Sequence, residues 1–281
     1  MHTHYSLHKI THSTQFSFDE AAYSRFKFGD GFVAKEYGIS LAHAFIEYYA
    51  EALHGQKQLV VISSPYCFIP TATFAMKTYF VHTLNTWLAE NNYPVVQETK
   101  IHRTITYKED YGALDAEERL KLIGNDHFHI DKEFIRGKLL IFLDDIRITG
   151  SHEKMIQKMI DAYELENDYY LLYFAELVNH EIHPNIENYL NYYAVKTIFD
   201  LNQIVSNPSF VINTRFVKYL LIYDQSDFEK FILEKESDFV QLVYFMALGN
   251  SYHTIEEYKK NLHYLKNIIN NNNNKNIHYG N

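Results

Sequence analysis

The 281-residue chain has little cysteine, tryptophan, proline or glycine: one, one, five and ten residues respectively. The lone cysteine, Cys67, excludes an intramolecular disulfide and any cysteine-cluster metal site; its ordinary role is a small buried filler. So few glycines and prolines exclude collagen-like and low-complexity classes. Excess positive charge is also missing. The 26 Lys and Arg stand against 35 Asp and Glu, a net charge of −9, which argues against a nucleic-acid backbone as main partner. No apolar run approaches the roughly 20 residues that cross a bilayer, and no charged-then-apolar leader opens the sequence. The expectation is a soluble, cytoplasmic protein with no membrane partner. Neither Gly-x-x-x-x-Gly-Lys-Ser/Thr nor Gly-x-Gly-x-x-Gly occurs, so P-loop and dinucleotide-binding readings have no support. Sixteen histidines include His4, His8 and His12 at four-residue spacing, but no His-Glu-x-x-His accompanies them.

Hydrophobic residues make up 47% of the chain, with 24 Tyr and 20 Phe. That is enough for a sizeable core, much of it built from rings on half-buried helix faces. Residues 1–29 read as a short amphipathic or extended lead-in. Asp30 stands where a helix N-cap belongs, and Phe32, Val33, Tyr37, Leu41, Phe45 and Leu53 follow at helical spacing. Leu59-Val60-Val61-Ile62 reads as a buried strand. A loop with Pro65 and Pro70 comes next, then a helix carrying Phe74, Thr78, Leu84 and Leu88. Residues 93–102 read as a second strand. Residues 103–132 are too long and polar for an ordinary connection, and read as a lid or insertion. Leu139-Leu140-Ile141-Phe142-Leu143 is the strongest strand. It runs into Asp144-Asp145, a loop through Thr149-Gly150, and a helix with Met155, Ile156 and Met159; a further strand covers 169–175. Strands alternating with helices predict an α/β fold over 30–205, a mainly parallel sheet with helices on both faces. Residues 206–268 read as a helical C-terminal appendage, and the Asn-rich stretch 269–281 as a disordered tail.

In an open parallel sheet, ligands bind beyond the carboxyl ends of the strands. The loops 63–70 and 144–152 leave such ends and are expected to face one cleft. The second begins with two carboxylates and ends in hydroxyl residues at the positive end of a helix. Backbone amides there attract phosphate, whereas adjacent carboxylates accept hydrogen bonds from vicinal hydroxyls or from the waters of Mg²⁺. A sugar phosphate satisfies both halves.

These residues resemble the phosphoribosyl-pyrophosphate (PRPP) signature of class I phosphoribosyltransferases: an apolar strand, two acids, three more residues, then Thr-Gly. The resemblance implies that Asp144 and Asp145 bind the ribose diol and, through water or the diol, Mg²⁺. It implies that Ile148, Thr149, Gly150, Ser151 and His152 form the phosphate turn, and that Ser64, Pro65 and Tyr66 open the pyrophosphate loop. Arg103 and Lys108 are then the cations expected on the closing loop. Arg147 and His152 depart from the family pattern, where an aliphatic and a Thr or Ser are usual. Arg25 and Lys27 read equally as surface charges or phosphate ligands. With Arg25-Phe26-Lys27-Phe28-Gly29-Asp30, the motif is similar to a divergent branch associated with tellurium-resistance stress clusters. The implied activity is transfer of ribose 5-phosphate from PRPP to an unidentified acceptor. The alternatives are a non-catalytic PRPP sensor and a protein-interaction module built on the Tyr-rich C-terminal helices. Those same helices make a homodimer plausible.

Overall fold

The computed structural model describes residues 2–53, 57–103 and 128–277. In chain order the elements are β1 (His2–Ile10), α1 (Glu20–Lys27), α2 (Gly31–Leu53), β2 (Leu59–Ser63), α3 (Ala72–Glu90), β3 (Gln97–Glu98), β4 (His102–Arg103), β5 (Phe128–His129), α4 (Lys132–Ile135), β6 (Leu139–Arg147), α5 (Ser151–Ala162) and β7 (Tyr169–Leu177). The helices α6 (Ile186–Asn191), α7 (Leu201–Val205), α8 (Thr214–Ile222), α9 (Gln225–Leu233), α10 (Ser237–Gly249) and α11 (Glu256–Ile277) follow.

The main sheet has the order β1-β7-β6-β2-β3, and every neighbouring pair is parallel. Because side chains alternate along a strand, the sheet has two apolar faces. Val61, Ile141, Leu143 and Leu172 pack with α2 and α3. Val60, Ile62, Leu140 and Phe142 pack with Met155, Ile156 and Met159 of α5. The fold is therefore the expected α/β arrangement, covered on both faces. Asp30 caps α2 through its Oδ1, which accepts from the amides of Phe32 at 3.0 Å and Val33 at 3.3 Å. A third core gathers α7 to α11 around Phe216, Leu220, Phe228 and Val243. No described helix is long and apolar enough to cross a membrane.

Four boundaries differ from the sequence reading. Residues 1–29 are no lead-in: β1 is an edge strand paired with β7, and α1 packs into the main core through Tyr23 and Phe26. An edge strand needs only one partner, and this one carries His4, Ser6 and Lys9, so its apolar signal is weak. The strand expected over 93–102 breaks into the two residues of β3 and the start of β4 at His102. The helical core begins before 206, since Val195, Ile198, Leu201 and Ile204 belong to it, and it reaches back to Phe28 and Ile69. The last helix runs to Ile277, so 269–277 are helical rather than part of a disordered tail; Leu262, Leu265 and Ile269 anchor it, and adding residues to a formed helix is far easier than starting one.

Candidate active site

The strand β6 does not stop at Leu143 but continues to Arg147, so the acidic pair sits within the strand and not on a loop. Successive strand residues point to opposite faces, so the two carboxylates take different main partners, although the Thr73 hydroxyl reaches both, at 3.3 Å from Asp144 and 3.4 Å from Asp145. Asp145 turns toward α1: Tyr23 donates its hydroxyl to Oδ2 at 2.6 Å, and Lys27 makes a buried ion pair with the same oxygen. Asp144 turns the other way. Its Oδ1 accepts from Ser64 Oγ at 2.6 Å and Thr73 Oγ1 at 3.3 Å, and His152 Nδ1 lies 2.6 Å from Oδ2. This last contact lacks the alignment of a hydrogen bond, and His152 Nε2 is buried with no partner among the described residues. Burial pushes the Asp144 carboxyl up, but His152, Ser64 and Lys27 outweigh it and hold the group well below the usual carboxylate range. Tyr173, opposite Asp144 in register, has a buried hydroxyl with no partner among the described residues. Burial, then the Asp144 charge, pushes that phenol up.

Beyond β6 the chain turns at Gly150, whose φ of 69° lies in the left-handed region. A side chain there is strained, and a Cβ would stand 3.3 Å from Arg147 NH2. Gly150 caps α5, and the first helical bond joins the Lys154 amide to Gly150 O at 3.0 Å. The amides of Ser151, His152 and Glu153 thus open the helix without helical partners. Thr149 and Ser151 hydroxyls lie 2.7 Å apart. Arg147 lies beside the turn and borders the cavity, donating to Glu153 at 2.8 Å and Glu176 at 2.9 Å.

The loop after β2 is fastened from the C-terminal half. Asn250 Oδ1 accepts from the amides of Phe68 and Ile69, both at 2.9 Å, and the Thr214 amide donates to Pro70 O at 2.9 Å. Phe68 lies so close to Gly249 that a Cβ there would stand 2.2 Å from its ring. Thr71 Oγ1 is buried with no partner among the described residues.

A cavity of about 320 Å³ brings these parts together. It is bordered by Ser64, Pro65, Arg103, Asp144, Asp145 and every residue from Ile148 to His152. Tyr66 is not among its walls; its ring lies under the Lys100 ammonium at 4.0 Å. Lys108 and most of the expected lid, 104–127, lie outside the described residues. The neck of that segment is described: Arg103 pairs with Phe128 in a two-stranded antiparallel ribbon, and both border the cavity. Cys67 is half-buried rather than a core filler. Arg25 pairs with Asp30 outside the cavity, whereas Lys27 lines it.

Sequence reasoning missed Thr73, Tyr173 and a whole wall of the cavity from α8 that includes Arg215 and Lys218. Thr71 and Thr73 had a signal, hydroxyl residues at a helix start just after a proline. The α8 wall had none, because its place depends on how the C-terminal core packs. For Mg²⁺, the donor chemistry fits: Asp144 is held ionised, and Mg²⁺ binds through one or two carboxylates with substrate phosphates and water. No group of three or more His, Cys, Asp or Glu among the described residues forms a cage.

A parallel sheet whose strand carries Asp-Asp into a Thr-Gly turn at a helix start, with both acids on one cavity, is the arrangement of a class I phosphoribosyltransferase. The chain matches the family model for ComF-like phosphoribosyltransferases over residues 1–265, and it belongs to that family. Solved structures resemble part of it. Hypoxanthine phosphoribosyltransferase from Staphylococcus aureus is 10% identical, over 51% of this chain and 74% of that one, with a TM-score of 0.33. The hypoxanthine-guanine enzyme of L. donovani gives 11%, 52%, 73% and 0.34, and the hypoxanthine enzyme of Trypanosoma cruzi 15%, 54%, 77% and 0.35. No curated protein matches the chain.

Proposed function

We propose that the protein transfers ribose 5-phosphate from PRPP to a nitrogen of a small acceptor and releases pyrophosphate. The observation that carries this reading is that Asp144 and the open amides of the Gly150 turn border one cavity. The 5-phosphate sits on the amides of 151–153 with Thr149 and Ser151. The diol lies over Asp144, with Asp145 behind it already engaged by Lys27. The pyrophosphate faces Ser64, Thr71 and Arg103. Asp144 would hold Mg²⁺ together with the diphosphate, and the ion would supply charge neutralisation for the leaving group.

In the reaction, the C1–O bond to pyrophosphate breaks and its electron pair leaves with the pyrophosphate. The acceptor nitrogen forms the new bond to C1 and releases its proton to solvent. The ring carbon is cationic in between, so a carboxylate below it and fixed cations beside the leaving oxygens lower the barrier. A PRPP sensor is the second reading, favoured by Asn250 already holding two amides of the pyrophosphate loop. The test is pyrophosphate release from Mg²⁺ and PRPP with a panel of nitrogenous acceptors. Acceptor-dependent release is the expected result. Tight PRPP binding without release for any acceptor favours the sensor.

A further inference from the structure

The helix α8 has two faces. Phe216, Val217, Leu220 and Leu221 are fully buried in the C-terminal core. Arg215, Lys218, Tyr219 and Ile222 follow one another at i, i+3, i+4 and i+7, and all four border the cavity. Across from them stands Tyr192, whose ring is 5.9 Å from that of Tyr219 and 5.6 Å from the Arg215 guanidinium. Ile222, 52% exposed, lies where this wall meets solvent.

We propose that this stripe is the acceptor subsite, and that the acceptor is a planar ring carrying a negative charge, an aromatic carboxylate. The inference rests on the phosphoribosyl-transfer reading and deepens it. Three features point the same way. Arg215 and Lys218 are cations one helical turn apart, and a guanidinium fork matches a carboxylate in plane. Tyr192 and Tyr219 give the wall flat apolar area suited to a ring. Ile222 adds apolar area at the solvent end of the same wall. Rings and an isoleucine do not suit pyrophosphate, whereas the hydroxyls of Ser64 and Thr71 and the Arg103 guanidinium, which border the same cavity, do. The transfer step keeps its balance: an amino or ring nitrogen of the acceptor bonds to C1, loses its proton to solvent, and pyrophosphate departs with the C1–O electrons.

The experiment uses the full chain with Mg²⁺ and saturating PRPP, titrated with 2-aminobenzoate or with its neutral counterpart 2-aminobenzamide, followed by probe fluorescence. PRPP affinity is measured separately by calorimetry. The expected result is at least tenfold tighter binding of the carboxylate. Lys218→Met should cut that preference below threefold and Lys218→Arg should keep it, with PRPP affinity within threefold throughout. Arg215→Gln provides a second variant, and circular dichroism checks that each one folds. Equal or tighter binding of the amide, no binding of the carboxylate, or a preference that survives both Lys218→Met and Arg215→Gln overturns the proposal. So does a loss of PRPP affinity in Lys218→Met as large as its loss of carboxylate affinity, which would make the stripe a pyrophosphate seat. If PRPP itself fails to bind, the transferase reading falls, and this proposal with it.

Discussion

Lys27, in the last turn of α1, forms a buried ion pair with Asp145, 118 residues further along the chain. The pair ties the N-terminal helix to the acidic end of β6, and it neutralises one of the two adjacent carboxylates. Removing one partner of a buried pair leaves the other charge stranded, at a cost of about 3–5 kcal/mol, whereas replacing both by apolar groups is often neutral. Lys27→Met should therefore be strongly destabilised in urea unfolding. The double variant Lys27→Met with Asp145→Leu should recover most of the loss. A single variant within about 1 kcal/mol of wild type would mean that the pair is not holding this corner.

The depressed Asp144 carboxyl has a pH signature. Its folded value lies below the ordinary 3.8. The stability it contributes is fully present above that ordinary value and is lost as pH falls through the lower folded one. The stability difference between wild type and Asp144→Asn should stay constant from neutral pH down to about pH 4 and change below it. Urea midpoints measured over a pH series check this. A difference that is flat below pH 4 contradicts it.

Asn250 satisfies two loop amides with one oxygen, each at 2.9 Å. An unsatisfied buried donor costs about 1–3 kcal/mol and a partly exposed one less; with the Ile69 amide buried and the Phe68 amide part-buried, Asn250→Ala should lose about 2–4 kcal/mol. Hydrogen exchange at Phe68 and Ile69 should accelerate in the variant. Unchanged protection there would show that the loop is held by other contacts.

At the turn proposed to seat the phosphate, a hydrogen bond to a charged group is worth about 1.5–3 kcal/mol. Thr149→Val should accordingly weaken PRPP about tenfold or more and leave the melting temperature nearly unchanged. Calorimetry and a thermal melt together check the two halves of this expectation. A variant that melts early while binding normally would assign Thr149 to the fold instead.

The parts of this architecture that were legible in the sequence are the ones with local causes. The run from Leu139 to Leu143 reads as a buried strand because it is apolar on both faces. The turn at Thr149-Gly150 into a helix reads from its glycine and hydroxyls, and the structure has that turn and helix start; the phosphate seat there is part of the proposal. β1 was not legible, since an edge strand with His4, Ser6 and Lys9 satisfies its polar groups on Glu176 and shows no apolar alternation. The opposite facing of Asp144 and Asp145 was hidden by the assumption that a loop begins at the first acid. Lys27 against Asp145, and the α8 wall with Arg215 and Lys218, depend on contacts far apart in sequence, and no local pattern encodes them.

The central claim is that this cavity holds PRPP through Asp144 and the Gly150 turn. Calorimetric titration of PRPP with Mg²⁺ into wild type and Asp144→Asn tests it most directly. Saturable binding to wild type and its loss in the variant is the predicted result; no binding to wild type, or equal affinity in both, would contradict it.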